Sequence, residues 1–177
     1  MAFPEKIKWK YHHTGIFVSN LERTIEWYTR VMGYRHIYTR YAKLKNLDNS
    51  GTFFEMPLCM MEHNGHYLEL YEFPDNKPFS YDDYMHTLGT KHLDLTVSDE
   101  EFDIVRQHFI DENVSFALGG PEEGNFSHDE KVLGKKGGLK VMYIRDPDGI
   151  LIEINGNYIP ELHYLNKDRL EQTNETP

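Results

Sequence analysis

Short runs of alternating apolar and polar residues, each leading into a helix start, occur twice in the chain. Residues 13–25 (HTGIFVSNLERTI) align with residues 92–104 (HLDLTVSDEEFDI) at an offset of 79, with six matches in thirteen, one of which pairs Asn with Asp. In each copy the apolar residues precede Ser-x-x-Glu, the capping box that satisfies free N–H groups where a helix begins. The pattern predicts a duplicated unit in which a strand turns into a helix, with Ser19 and Ser98 as the caps.

Each predicted helix has one apolar face. In the first helix this face consists of Leu21, Ile25, Tyr28 and Met32, and in the second of Phe102, Val105 and Phe109. The first helix should end at Gly33 and the second near Asn113, because both residue types favour a helix C-terminus.

Strand patterns follow each helix. The first half has them at 34–41, 52–62 and 66–73, and Asn64-Gly65 between the last two is a strong hairpin signal. The second half has them at 139–145 and 150–155, joined by the turn sequence Asp-Pro-Asp-Gly. Each half is therefore predicted to be a βαβββ module, and the fold class is α+β with two tandem modules that form a curved mixed sheet around a cup.

The predicted organisation is a first module at 11–73, a linker at 74–90, a second module at 91–156 and a C-terminal tail at 157–177, in which 161–172 could form a short packing helix. The linker contains two prolines. Residues 119–138 are rich in glycine and charge, which is typical of a loop that serves as a lid or of an ordinary surface excursion.

Four polar side chains lie opposite the aliphatic faces of the predicted strands. By strand parity, Glu153 is opposite Ile150, Ile152 and Ile154, and Glu69 is opposite Leu68 and Leu70. His13 and His92 are likewise opposite the apolar residues of their strands. The His-to-Glu spacing recurs, at 56 residues in the first half and 61 in the second.

These four residues have the chemistry of a metal site. A lone carboxylate among aliphatic residues needs water, a partner or a metal, because burying it unpaired costs several kcal/mol or more. Two imidazoles and two carboxylates suit a borderline divalent ion such as Zn, Ni, Co, Mn or Fe(II). If helices cover the aliphatic faces, the opposite faces of the two modules could curve into one cup.

The composition limits the classes of binding partner and the cellular compartment that are expected. The net charge of −10 and pI near 5.4 argue against nucleic acid or an anionic membrane surface as a partner. The single cysteine, Cys59, is expected to be buried and excludes an intramolecular disulfide, which fits a reducing compartment. The sequence shows neither the apolar core of a signal peptide nor a membrane-spanning run, so a cytoplasmic location is expected.

The repeated unit and its motifs resemble the vicinal oxygen chelate superfamily, which includes glyoxalase I, bleomycin-resistance proteins and extradiol dioxygenases. The motifs are His-x4-Val-Ser-Asn-Leu-Glu-Arg from His13, Leu-Glu-Leu around Glu69, the second His92 with Val-Ser-Asp, and Asp-Pro-Asp-Gly-x-x-x-Glu ending at Glu153. Together they cover roughly residues 11–156.

The resemblance implies one divalent metal at the junction of two paired modules, with His13, Glu69, His92 and Glu153 as its ligands. His12 is an alternative to His13, although the alignment with His92 favours His13. The modules can pair within one chain or between the chains of a homodimer, and both arrangements fit the duplication.

The resemblance also implies a small-molecule substrate, and the reaction class it favours is a glyoxalase-like lyase or isomerase. There the metal holds two adjacent substrate oxygens and stabilises an enediolate, while Glu69 or Glu153 acts as the catalytic base. Bacterial glyoxalase I places an Arg four residues after the first ligand His to hold glutathione. Phe17 occupies that position here, so a thiol cofactor such as glutathione stays an open question.

Two other classes compete. An Fe(II) extradiol dioxygenase matches the pattern Tyr143-x-x-Asp146-Pro147-x-Gly149-x-x-x-Glu153, but the His expected near 134–136 is replaced by Gly-Lys-Lys and Glu69 is an additional carboxylate. A drug-sequestering protein of the bleomycin-resistance type usually lacks the metal ligands, so the complete set counts against it. An acyl-CoA epimerase is a related enzymatic option.

Overall fold

The alternating apolar positions form two separate mixed β-sheets, one in each half of the chain. A computed structural model describes residues 10–46, 50–73, 75, 89–122, 126–128 and 139–156. The chain divides into two units, Met1–Phe79 and Ser80–Pro177, at a point inside the predicted linker. Most of that linker, the tail 157–177 with its predicted helix, and residues 134–136 lie outside the described residues.

The first unit is a βαβββ module, as predicted. Its elements are β1 (Thr14–Val18), α1 (Leu21–Arg30), β2 (Arg35–Lys45), β3 (Phe53–His63) and β4 (His66–Glu72). The sheet order is β1-β4-β3-β2, with β1 parallel to β4 and the other pairs antiparallel. The hairpin between β3 and β4 turns at Asn64 and Gly65, which both adopt the positive φ of the predicted tight turn.

Part of the core of the first unit lies between α1 and its sheet, and a further buried cluster of Ala42, Met56 and Leu58 packs against Tyr71 and Phe73. The helix packs on β2, β3 and β4 and buries Leu21, Thr24 and Tyr28. The predicted helix face is therefore correct in part: Leu21 and Tyr28 are buried, whereas Ile25 is only half-buried and Met32, also half-buried, lies beyond the end of the helix. Cys59 is buried, as expected, and burial raises the pKa of its thiol to about 11.

The second unit repeats the module with one additional short strand. Its elements are β5 (His92–Thr96), α2 (Asp99–Asp111), β6 (Ser115–Leu118), β7 (Phe126–His128), β8 (Leu139–Arg145) and β9 (Leu151–Asn155). The order is β5-β9-β8-β6, with β5 parallel to β9, and β7 also pairs with β8. The strand β7 lies inside the segment that was predicted to be a loop. In this segment the sequence pattern is weak, and pairing with β8 stabilises a strand of only three residues.

The predicted capping box of the first helix was wrong. The N-cap of α1 is Asn20, whose side chain accepts a hydrogen bond from the Arg23 backbone N–H at 2.8 Å. Ser19 Oγ instead accepts a hydrogen bond from the Arg23 guanidinium. Asn caps a helix as well as Ser does and stands one residue nearer to this helix, so it takes the role.

The capping box of the second helix is present as predicted. Ser98 Oγ accepts a hydrogen bond from the Glu101 backbone N–H at 3.2 Å, and Glu101 Oε2 accepts one from the Ser98 N–H at 2.9 Å. The hydrogen bond from the Ser98 backbone lowers the pKa of Glu101.

We expect Ser98→Ala to lower the free energy of unfolding by about 1 kcal/mol, because it removes an N-cap oxygen. The control is Ser19→Ala, which should change it by much less because Ser19 does not cap a helix. Urea unfolding of the two variants measures the difference. Equal losses would contradict the assignment of Asn20 as the first cap.

No helix in the part of the chain described by the structure is long and apolar enough to cross a membrane.

Candidate functional site

A histidine and a glutamate meet on the first sheet. His13 comes just before β1, and Glu69 lies at the centre of β4, the parallel neighbour of β1. His13 Nε2 is 3.1 Å from Glu69 Oε2. The strand register explains this contact: Gly15 is the Cα partner of Glu69, and His13 is two residues earlier, where the chain presents the same face.

The second sheet has the same arrangement. His92 begins β5, and Glu153 lies at the centre of its parallel neighbour β9. His92 Nε2 is 3.0 Å from Glu153 Oε2. Asp94, two residues after His92, is the Cα partner of Glu153.

The two His–Glu pairs match in burial as well as in register. The histidine side chains are 32% and 35% exposed, and the glutamate side chains are 10% and 12% exposed. In both units a half-exposed imidazole therefore faces a nearly buried carboxylate. The duplication seen in the sequence extends to the geometry of the four predicted site residues.

The donor atoms of each pair suit a divalent metal. An imidazole nitrogen and a carboxylate oxygen are both donors that divalent ions bind, and the two atoms lie 3.1 Å apart in the first unit and 3.0 Å apart in the second. Over its described residues, neither unit gathers three or more His, Cys, Asp or Glu side chains that could hold an ion by themselves. Each unit supplies two donors of the predicted set of four.

A tyrosine hydroxyl donates a hydrogen bond to each of these carboxylates. Tyr71 Oη–H donates to Glu69 Oε2, the oxygen that also faces His13. Tyr143 Oη–H donates to Glu153 Oε2 at 2.5 Å. Burial, together with the hydrogen bond to Glu69, raises the pKa of Tyr71 to about 12, so this hydroxyl stays protonated at neutral pH.

His12 contacts His13 through the ring nitrogen that His13 does not present to Glu69. The two Nδ1 atoms are 2.6 Å apart, and His12 is exposed. A histidine that binds a metal through one nitrogen commonly forms a hydrogen bond through the other. The geometry therefore favours His13 over His12 as the residue paired with Glu69.

Phe17 gives the surface beside Glu69 an aromatic character. Its ring is 61% exposed and lies 5.6 Å from the ring of Tyr71 and 4.8 Å from the ring of Phe73, between centroids. Because residue 17 carries no charge, it provides no ionic partner for the carboxylates of glutathione.

The sequence could reveal the two tyrosines to different extents. Tyr71 is two residues from Glu69 on one strand, so parity places both on the same face. Tyr143 is the cross-strand Cα partner of Glu153, and this contact depends on the register of β8 and β9. Asn155 was not predicted either, and it donates a hydrogen bond to Asp94 Oδ1 at 2.6 Å.

The sequence matches one family of proteins. A profile of the glyoxalase/bleomycin resistance protein/dioxygenase superfamily matches residues 12–133, which is more than half of the 177-residue chain. Comparison with curated protein sequences finds no match.

Solved structures with low sequence identity share the fold. A glyoxalase/dioxygenase from Nostoc punctiforme is 17% identical with a TM-score of 0.61, over 90% of this chain and 97% of that one. A glyoxylase/bleomycin resistance protein/dioxygenase domain from Frankia sp. EAN1pec is 15% identical with a TM-score of 0.60, over 89% and 98%. The fosfomycin resistance protein FosX from Listeria monocytogenes, complexed with Mn(II) and sulfate, is 14% identical with a TM-score of 0.55, over 88% and 98%.

The profile match, the duplicated βαβββ modules and the shared fold agree with one another. The chain belongs to the vicinal oxygen chelate superfamily, that is, to the glyoxalase/bleomycin resistance protein/dioxygenase superfamily.

Proposed function

We propose that the protein is a metal-dependent lyase or isomerase of the glyoxalase type, acting on a small substrate with two adjacent oxygen atoms. The observation that carries the proposal is the repeated His–Glu contact, at 3.1 Å in one unit and 3.0 Å in the other. Duplication would repeat any polar pair, but the residue types repeated here are an imidazole and a nearly buried carboxylate, which are donors that a divalent ion binds. Their presence on the equivalent strands of both units supports a shared ligand set.

The proposed ligands of one divalent ion are His13, Glu69, His92 and Glu153. Two neutral imidazoles and two carboxylates neutralise a divalent charge, and they suit Zn, Ni, Co, Mn or Fe. The Mn(II) complex of FosX supports a divalent ion in a protein with this fold. When bound, the ion supplies the positive charge that stabilises an enediolate.

The four ligands come either from one chain or from two chains of a homodimer. Mixing His13→Ala chains with His92→Ala chains distinguishes these arrangements. Shared sites would recover one intact ligand set in each mixed dimer, whereas sites within one chain would stay defective.

The proposed chemistry assigns proton transfer to the carboxylates. Glu69 or Glu153 takes the proton from the hydroxyl-bearing carbon of an α-hydroxycarbonyl substrate, and the C–H electron pair forms the C=C bond of an enediolate while the carbonyl oxygen takes the negative charge. The protonated carboxyl group then returns the proton to the former carbonyl carbon, and the hydroxyl proton of the substrate passes to the other oxygen, so that the hydroxyl and the carbonyl exchange places. Both carboxylates are nearly buried, which limits competition from water. Because the environments of the two carboxylates match, each is a candidate base.

The test combines elemental analysis with solvent exchange. We expect the purified protein to contain about one divalent ion per site and, with Zn(II) and without O2, to catalyse exchange or internal transfer of a carbon-bound hydrogen. The substrates to screen in D2O are α-hydroxyketones and 2-oxoaldehyde–thiol adducts, with and without glutathione. Protein that binds no metal but binds drugs would support the sequestering alternative.

An extradiol dioxygenase is the second candidate, because Tyr143 belongs to the sequence signature of that class and donates to Glu153. This candidate needs only two histidines and one glutamate. Activity that appears only with Fe(II) or Mn(II), consumes O2 with a catechol and survives Glu69→Gln would replace the first proposal with this one.

A further inference from the structure

The two carboxylates obtain their tyrosine hydroxyls from different places in the two modules. Tyr71 follows Glu69 by two residues on β4. The position two residues after Glu153, at the end of β9, is held by Asn155, whose side chain turns to Asp94. The first tyrosine therefore has no counterpart at the equivalent position of the second module.

The second tyrosine reaches its carboxylate from the neighbouring strand. Tyr143 on β8 is the cross-strand Cα partner of Glu153. In the first module the cross-strand partner of Glu69 is Met60, on β3. The equivalent position there holds a thioether in place of a hydroxyl.

The residue beside each glutamate on the parallel neighbouring strand also differs between the two modules. Gly15 is the Cα partner of Glu69, and a Cβ atom there would be in ordinary van der Waals contact with the ring of Tyr71, 3.4 Å from its Cε2. Asp94 occupies the corresponding position in the second module, where the ring arrives across the sheet.

Three structurally equivalent positions therefore change between the modules, yet each carboxylate still accepts one tyrosine hydroxyl on Oε2. A carboxylate that met only a histidine would be free to rotate about its terminal torsion. A hydroxyl bound to one of its oxygens fixes that rotation. The recurrence by two different routes indicates that the hydrogen bond itself is needed.

We propose that Tyr71 and Tyr143 are positioning residues that hold the Glu69 and Glu153 carboxylates in the orientation in which they bind a divalent ion. This inference rests on the proposed ligand set. The tyrosines act through the glutamates.

The test is the affinity of the protein for Zn(II), measured by chelator competition, in Tyr71→Phe and Tyr143→Phe. Each variant removes one hydroxyl and keeps the ring, and we expect each to bind Zn(II) about 10- to 100-fold more weakly. The midpoint of thermal unfolding of the metal-free protein should change little. Tyr41→Phe is the matched control, because Tyr41 is 81% exposed on β2, and its affinity should equal that of the parent.

A double variant tests the hydroxyl directly. Tyr71→Phe combined with Met60→Tyr moves the hydroxyl of the first module to the position that Tyr143 holds in the second. Zn(II) affinity should recover at least in part. A double variant that unfolds at the parent temperature yet binds as weakly as Tyr71→Phe would overturn the positioning role of Tyr71.

A readout in the metal-free protein separates this inference from the proposed function. The carboxylate ¹³C resonances of Glu69 and Glu153 should each shift in the corresponding Tyr→Phe variant. If the Tyr→Phe variants keep the parent affinity for Zn(II) while His92→Ala loses Zn(II), the positioning role of the tyrosines is wrong and the proposed ligand set stands. If His92→Ala and Glu153→Ala also retain Zn(II), the ligand set fails, and with it the metal-positioning role, even where the ¹³C shifts show that the hydrogen bonds exist.

Discussion

His92→Ala and Glu153→Ala are each expected to weaken retention of the divalent ion by more than about 100-fold. Removal of a residue that only orients a ligand lowers metal affinity by about 10- to 100-fold. Removal of the ligand itself should lower metal affinity further. The loss should be visible as metal-free protein after gel filtration, by elemental analysis.

His36→Ala is the matched control for this prediction. His36 is an exposed histidine on β2 whose Nε2 contacts Thr39, and its replacement should leave the metal content unchanged. In the first module, His13→Ala should resemble His92→Ala, and His12→Ala should retain most of the metal. If both His92→Ala and Glu153→Ala hold metal as the parent does, the proposed ligand set is wrong.

Replacing the proposed catalytic glutamate with glutamine should remove most turnover and leave metal in place. Glutamine keeps the size and one oxygen donor of the carboxylate but cannot take a proton. Positioned general bases contribute about 10²- to 10⁴-fold to rate, so Glu69→Gln or Glu153→Gln should lower kcat by a factor in that range. The measurement is hydrogen exchange in D2O with Zn(II) under anaerobic conditions, with metal content determined on the same samples.

Glu55→Gln is the control for the glutamine variants. Glu55 is exposed and pairs with Lys43 at 2.8 Å, a surface interaction of little energetic weight. Its replacement should leave turnover unchanged. If Glu69→Gln and Glu153→Gln both keep full activity, neither carboxylate takes part in proton transfer. The lyase or isomerase assignment is then wrong.

Hydrophobic periodicity and turn chemistry predicted the βαβββ plan of the two modules and located most of their strands. The hairpin at Asn64-Gly65 was confirmed because positive φ angles at both residues are a local property. The cap of α1 was not predicted correctly, since two good caps, Ser19 and Asn20, are adjacent and only the path of the chain selects one. The strand β6 was not located because its four residues carry too little pattern.

The sequence by itself determined which residues could serve as the site. The repeat aligned His13 with His92, and strand parity put Glu69 and Glu153 opposite the aliphatic residues, because side-chain direction in a strand depends only on position along it. The tertiary structure decided what each of these residues touches. The contact of Tyr143 with Glu153, and the pairing of Asn155 with Asp94, depend on the register between strands that are distant in sequence. Register is set by the packing of the whole sheet, and no single segment of the sequence carries it.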